Sequence, residues 1–262
     1  MKVIKRQLSD KLQYITLEIA ADWHLGSPEC NRNEINKQVG RIADNPNMFC
    51  ILNGDLIDNA IENSVGDVYS QELSPMAQLE LARDTLLPIK DKILCITGNS
   101  NHEGRTYRKT GVNLNALLAD SLGLNDYYSD EGIFMFLTLG QLKGYRRSVK
   151  IPKPVQYTFY VTHGAGGGGS VGGKANRLQK LSFISADIII HSHTHLPLTF
   201  KEDFFRVDYA NAKVIQTTQL FVNSSAMLNY GGYGENKGYK PSALSCPELW
   251  LNGISKEYRC TI

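Results

Sequence analysis

Six histidines occur in this chain of 262 residues, and all six stand in or beside short polar clusters. His24 closes Asp22-Trp23-His24, His102 sits in Asn101-His102-Glu103, His163 precedes Gly164, and His191, His193 and His195 alternate with Ser192 and Thr194. A further cluster, Gly54-Asp55-Leu56-Ile57-Asp58-Asn59, supplies two carboxylates. One histidine in a loop is ordinarily a solvated side chain; it is the company these six keep that points to chemistry. Imidazole nitrogen combined with carboxylate and amide oxygen suits divalent transition metals. Alternate residues of an extended segment point the same way, so Asp22 with His24, and His193 with His195, are each expected to present two ligands on one side. Asp55 has two oxygens with which to bridge two cations. Two such ions about 3.5–4 Å apart can clamp the attacking and leaving oxygens of a phosphoryl group and acidify a bound water, which makes hydroxide available near neutral pH.

The elements that must position these residues are short. Residues 14–21 and the apolar runs 48–52, 92–97, 132–139, 155–162 and 187–190 read as strands. Residues 32–44, 111–122 and 174–184 read as helices, and Ser74-Pro75 as the cap and first turn of another that runs to about Lys90. From Leu198 the pattern alternates with turns and predicts β-structure to the end. Each polar cluster follows directly on a strand, and in α/β folds ligands bind outside the carboxyl ends of strands. With neither an internal repeat nor a linker, residues 1–262 are expected to form one domain, with 125–154 and 223–245 as insertions that shape the substrate site.

The order Asp22-x-His24, Gly54-Asp55-x-x-Asp58, Asn101-His102-Glu103, His163-Gly164 and His193-x-His195 resembles the calcineurin-like metallophosphoesterases over residues 22–195. The resemblance implies an α/β fold: a four-layer αββα sandwich of two mixed β-sheets flanked by helices, with a dinuclear metal site at the strand C-terminal ends. It implies that Asp22, His24 and His195 hold one metal, that Asn101, His163 and His193 hold the other, and that Asp55 bridges them. His102 would then face the scissile phosphate, assisting the leaving group or stabilising charge, and Asp58 would orient His102 or a metal ligand. The third motif departs from the family pattern, reading Gly98-Asn99-Ser100-Asn101-His102-Glu103. Asn101 directly precedes His102 and is taken as the ligand, with Asn99 as its competitor. Ser192 stands where the family usually has glycine, and His191 before it is read as a structural or outer histidine. The second motif ends in Asp58-Asn59 and lacks the Asp-Arg-Gly of Ser/Thr protein phosphatases, which argues against a protein substrate.

Basic residues suggest substrate contacts. Arg105 lies three residues after His102, and a guanidinium can grip a phosphate with two N–H groups. The stretch Gly164–Gly173 with Lys174 nearly matches a nucleotide-binding P-loop, but Ala175 replaces the Ser or Thr that would hold magnesium. The plain reading is a flexible connector. The preferred one has backbone N–H groups, Lys174 and Arg177 holding a substrate phosphate beside His163. Lys143, Arg146, Arg147, Lys150 and Lys153, with Tyr145 and Tyr157 nearby, are either a solvated loop or a nucleic-acid groove. A tyrosine- and glycine-rich stretch, 229–242, is either a substrate-shaping loop or a turn-rich surface segment.

Composition narrows the classes. A net charge of +2 excludes a strongly basic DNA-coating protein, and 42% hydrophobic with 21% charged residues describes a globular chain. Five cysteines without a CxxC pair read as reduced thiols, Cys50 and Cys95 as buried hydrophobes. With no signal-peptide pattern and no apolar run near the ~20 residues that span a bilayer, the expectation is a cytoplasmic enzyme without membrane contact. The function expected is hydrolysis of a phosphodiester, in DNA, RNA or a nucleotide, by attack of metal-bound hydroxide. The alternatives are a monoesterase acting on a small phosphorylated molecule and a non-catalytic scaffold of the same fold. Two divalent ions are expected, manganese first, with iron, zinc or magnesium also suited.

Overall fold

Short runs such as Met48–Leu52 and Ile93–Thr97 are apolar at every position, the pattern of strands covered on both faces. In the computed structural model, which describes residues 1–9, 11–62, 64, 67–98, 100–140, 154–167 and 169–262, each becomes the inner strand of a sheet. The chain runs β1 (Lys2–Gln7), β2 (Tyr14–Ala20), α1 (Arg32–Asp44), β3 (Met48–Leu52), α2 (Pro75–Leu86), β4 (Ile93–Thr97), α3 (Glu103–Thr110), α4 (Leu114–Ser121), β5 (Tyr128–Ser129) and β6 (Ile133–Leu139). It continues with β7 (Val155–Val161), α5 (Val171–Gln179), β8 (Ile188–His191), β9 (Leu198–Asp208), β10 (Lys213–Asn223), α6 (Gly232–Asn236), β11 (Glu248–Asn252) and β12 (Tyr258–Thr261).

Two mixed six-stranded sheets result, ordered β12-β11-β2-β3-β4-β5 and β1-β6-β7-β8-β10-β9. In the first, β2 to β5 are parallel and β11 and β12 antiparallel. In the second, β7, β8 and β10 are parallel, while β6 and β9 run antiparallel to their neighbours β7 and β10. Alternation along strands divides the core. Leu17, Ile19 and Ile51 meet Met135, Phe159, Ile188 and Ile190 between the sheets. Cys50, Leu52 and Ile96 turn outward onto Ile35 and Ile42 of α1, Leu79 and Leu86 of α2 and Leu118 of α4. On the other outer face Ile189 and Phe221 pack on Leu178 of α5. Helix, sheet, sheet and helix form the four layers that the resemblance implies.

Local differences from the sequence reading have physical causes. The helix capped by Ser74 ends at Leu86, and residues 87–92, with Pro88 in their first turn, tighten into a 3-10 segment. The helix expected from 111 starts at Leu114, because Asn113 caps it and Gly111, at φ 76°, terminates the preceding α3. α3 itself (EGRTYRKT) has no apolar stripe to announce it. α5 begins at Val171 on a Ser170 cap, three residues early, and residues 180–183 are 3-10. β1 was not foreseen, and between β10 and β11 the chain is mostly without strand. No helix among the described residues is long and apolar enough to cross a membrane.

Candidate metal centre

The expected ligands do not lie in extended strand. Asp22, His24, Asp55, His193 and His195 take φ values of 51°, 49°, 51°, 67° and 54°, five of the seven described non-glycine residues with positive φ. Such backbone costs on the order of 1–3 kcal/mol per residue and persists only where the surroundings over-determine it. The chain turns sharply as each strand ends, so Asp22 and His24 converge by left-handed turns and not by strand alternation. His24 N–H donates to Asp55 O at 3.1 Å and Met227 N–H to Asp22 O at 2.9 Å. His193 N–H donates to Asp22 Oδ2 at 3.2 Å. Gly54, at φ 81°, leaves no room for a side chain: a Cβ would stand 2.7 Å from Ser100 Cβ and 2.9 Å from His163 Nδ1.

These turns bring side chains from both sheets together. Asp22, His24 and His195 form one group whose ligand atoms all lie within 4.8 Å of one another, and Asp55, His163 and His193 form a second. His195 Nε2 is 3.3 Å from Asp22 Oδ1, and His163 Nε2 is 3.1 Å from Asp55 Oδ2. Asn101 Oδ1 lies 2.8 Å from His193 Nδ1 and 3.3 Å from His163 Nε2, within the second group. Asn99 is outside the described residues. Asp55 keeps its carboxylate on His163 and on the His102 N–H, 3.0 Å away.

Charge in this pocket is unbalanced. Asp22 is fully buried and Asp55 is 1% exposed, yet Asp22 Oδ1 has no well-aligned donor, its one close approach being His195 Nε2 at 3.3 Å. Burial would raise both carboxylates, but neighbouring imidazoles, His195 for Asp22 and His163 for Asp55, hold them below the usual range. Burial works against a charged His163 too, and Asp55 nevertheless pushes it up to about 10. His193 is driven down to about 4 by burial and by His163. The pocket therefore demands positive charge. Nitrogen from four imidazoles with oxygen from two carboxylates and an amide is a donor set that divalent metals satisfy, and the orphaned Asp22 oxygen is a ready ligand.

His102 stands in a third such group, with Asp58 and with His24, which it shares with the first. Its Nδ1 is 2.6 Å from Asp58 O and 3.2 Å from Asp58 Oδ1. The tautomer this implies carries its hydrogen on Nδ1. Burial opposes the imidazolium, but Asp55 and Asp58 raise the His102 pKa above its ordinary value. Asp58 Oδ1 is also 3.4 Å from His24 Nδ1, and Gln71 Nε2 donates to Asp58 Oδ2 at 2.8 Å. Arg105 donates from Nη1 to Asp58 O at 2.9 Å, and its Nη2 lies 3.2 Å from His102 Nε2. His191 sits behind the ligands, its Nδ1 2.6 Å from Asn223 Oδ1 and its ring against Gly164.

Several residues that hold the site have no role assigned from the sequence. Glu103, 3% exposed, accepts the N–H groups of Asp55, Leu56 and Ile57 at 3.2, 2.8 and 3.3 Å, together with the Ser100 hydroxyl. One carboxylate thus fixes the Asp55 turn to the start of α3. Asn53 joins the sheets, donating to Thr162 O at 2.9 Å and Ser192 Oγ at 2.6 Å while its carbonyl lies 2.6 Å from His163 Nδ1. Ser224 Oγ donates to Asp22 Oδ2 at 3.2 Å. Glu103 is part of the third motif but has no role assigned there, and for Asn53 the only signal is adjacency to Gly54.

The expected substrate contacts fare unevenly. Lys174 is half-buried in α5, which lowers its pKa, and Arg177 folds back towards Gly167 O at 3.5 Å. No contact among the described residues joins either to the Asp/His groups, and Gly168 lies outside the described residues. Lys143, Tyr145, Arg146, Arg147, Lys150 and Lys153 also lie outside them. The strands that bracket this cluster meet at Leu139 and Val155, the end of the sheet remote from His163. Tyr157 is fully buried and its hydroxyl donates to backbone carbonyls of Asn252 and Glu257, so it is a core residue and not a stacking surface. The stretch after β10 starts against Asp22 through Ser224 and is tied at Asn229 to Glu29 O and Asn31. All five cysteines are free, with Cys50 and Cys95 buried as expected.

No protein-family model matches the chain, and no curated protein sequence does. In shape it is similar to the crystal structure of a conserved uncharacterized protein, a predicted phosphoesterase, from Streptococcus pneumoniae TIGR4. The two are 10% identical over 95% of this chain and 99% of the other, with a TM-score of 0.36, a likeness too distant to carry a residue role across.

Proposed function

We propose that the chain is a metal-dependent phosphoesterase that hydrolyses a phosphodiester of a nucleic acid or nucleotide. The observation that carries this reading is the convergence of three Asp/His groups, one with a carboxylate oxygen that has no hydrogen-bond donor and one holding His102, beside the Arg105 guanidinium. Divalent cations held by Asp22, His24 and His195 and by Asn101, His163 and His193, with Asp55 shared, would lend Lewis acidity to the phosphoryl group and to the water that attacks it. Manganese suits the mixed nitrogen and oxygen set first, then iron, zinc or magnesium.

The chain's own groups have separable tasks. His102 keeps Nδ1–H on Asp58, so Nε2 is the nitrogen that meets the leaving oxygen and, when protonated, returns a proton to it. Asp58 positions both His102 and His24. Arg105, anchored through Nη1 on Asp58 O, holds Nη2 beside His102 Nε2, from which it would turn to a non-bridging phosphate oxygen when substrate binds. It is the one guanidinium seen against His102 among the described residues, which matches the single charge of a diester better than the two of a monoester. Lys174 and Arg177 would hold a flanking phosphate from the glycine-loop side.

The test strips the protein with chelator and assays bis-p-nitrophenyl phosphate and p-nitrophenyl phosphate with and without Mn²⁺, alongside His102→Ala and Asp55→Asn. Diester hydrolysis that returns with Mn²⁺ and is lost in both variants supports the proposal. Cleavage of the monoester alone moves the substrate to small phosphorylated molecules. No cleavage with any metal leaves the non-catalytic scaffold. Lys174→Ala and Arg177→Ala should raise KM, and an unchanged KM removes them from the site.

A further inference from the structure

The two sheets have four edges, and three of them are protected in familiar ways. β5 has two residues and β12 four, too short to template another strand. β1 has six, of which Lys2, Lys5 and Arg6 repel a like strand. β9 differs: it has eleven residues, its charges are of mixed sign, and no described strand covers its outer side. Its outer part is also thinly supported. β10 pairs with β8 only over Leu220–Asn223, so Lys213–Gln219 and their β9 partners Glu202–Asp208 form a two-stranded ribbon beyond the sheet. A two-stranded ribbon is marginal by itself, and this one leaves Phe205 77%, Val207 51% and Val214 64% exposed.

We propose that the β9 edge pairs antiparallel with β9 of a second copy of this chain, about a twofold axis at Phe204. A twofold axis perpendicular to a sheet preserves its two faces, so opposed residues must share parity, and only a few registers are open. An axis at Glu202, Asp203 or Arg206 sets a charge against itself, and one at Phe205 sets Glu202 against Asp208. The axis at Phe204 sets Glu202 against Arg206 of the copy, twice by symmetry, and Phe204 against its own image. It pairs nine residues, Phe200 to Asp208. Axes at Phe200 and Val207 avoid like charges too, but they pair only five and three residues within the strand. In the Phe204 register the two Phe205 rings are diagonal neighbours, within reach of aromatic side chains. The Lys201 stem of one copy crosses Val207 of the other and covers it. Charge complementarity and apolar cover thus coincide in one register. Opposite charges directly across an antiparallel pair stabilise it, and like charges there destabilise it.

Sedimentation velocity on the full chain across a wide concentration range tests this, with Arg206→Glu and the double variant Glu202→Arg/Arg206→Glu. Both positions lie on the ribbon and outside the candidate site. The wild type should reach twice the chain mass of 29.2 kDa. Arg206→Glu, which sets Glu against Glu twice, should raise the dissociation constant by about tenfold or more, and the double variant should restore it. A wild type that stays at the single-chain mass at every concentration overturns the proposal. So does an Arg206→Glu protein that dimerises as before. A double variant that stays dissociated overturns the register, since an axis at Val207 would set the carboxylate introduced by Arg206→Glu against Asp208 of the copy.

Discussion

The two ends of the parallel strands are built on opposite terms. At the C-terminal ends of β2, β3 and β8 the chain accepts local costs: five left-handed Asp and His residues, two buried carboxylates, and an oxygen without a donor. At the other end the β9–β10 ribbon accepts no such strain outside its turn, and it buries little. The first end is stable because many groups hold each turn, as Glu103 holds three N–H groups of the Asp55 turn. Costs of this kind persist where function requires the geometry. The exposed apolar residues of the ribbon hold no such geometry, and they are the ground for the proposed pairing with a second copy.

Substitutions should separate the two ends sharply. His102→Ala should cost about 10²–10⁴-fold in kcat, the range for a general acid, with little change in metal content by elemental analysis. A variant that keeps full diester activity would remove His102 from the chemistry. Glu103→Gln comes next. The amide keeps the shape, but its NH₂ must face either the Asp55 and Ser100 donors or the Leu56 and Ile57 donors, so the Asp55 turn loosens. Metal affinity by chelator competition should fall about 10–100-fold, as for other groups that orient ligands. Glu103→Asp should recover part of it. Equal affinity in all three proteins would reduce Glu103 to a packing residue.

How much of this was legible follows from where the signal is local. Strands such as Met48–Leu52 announce themselves because every position is apolar, and the clusters after them stand in sequence where they stand in space. Asn101, preferred for its adjacency to His102, lies between His163 and His193, while its competitor Asn99 is outside the described residues. The turns that aim the ligands were not legible. Left-handed φ at Asp22 or His193 depends on partners remote in sequence, such as Met227 for Asp22. α3 was missed because a polar helix that buries only Glu103 offers no periodicity. Tyr157, read beside a basic loop, proved to be core because its partners come from the last hairpin.

A smaller effect distinguishes proton from metal in the pocket. In the metal-free protein His163 is raised to about 10, above its ordinary 6.5. A raised basic group contributes stability that is fully present below the unfolded value and is lost as pH rises through the folded one. Metal-free protein should therefore lose thermal stability between pH 7 and 10.5. Metal-loaded protein, whose ligands must give up their protons, should lose less over the same interval, because buried thiols and tyrosines contribute equally to both. Titrating Mn²⁺ at pH 8 in buffers of different ionisation enthalpy should report about one proton released per chain. No release would mean that His163 is already neutral.

The smallest effect belongs to the ribbon. Tyr209, at its turn, is 90% exposed, and the turn is closed not by its ring but by Asp208, which accepts from Asn211 N–H at 3.2 Å and Asn211 Nδ2 at 2.8 Å. Tyr209→Ser removes no buried area and no hydrogen bond of the turn. It should change unfolding free energy by no more than about 0.5 kcal/mol, as surface substitutions do, and leave diester hydrolysis per chain unaltered. In the Phe204 register the paired residues end at Asp208, so Tyr209 lies just outside them and the dissociation constant should not move either. A dimer weakened by Tyr209→Ser would place the twofold axis nearer the turn, at Val207, where Tyr209 would face Phe205 of the copy.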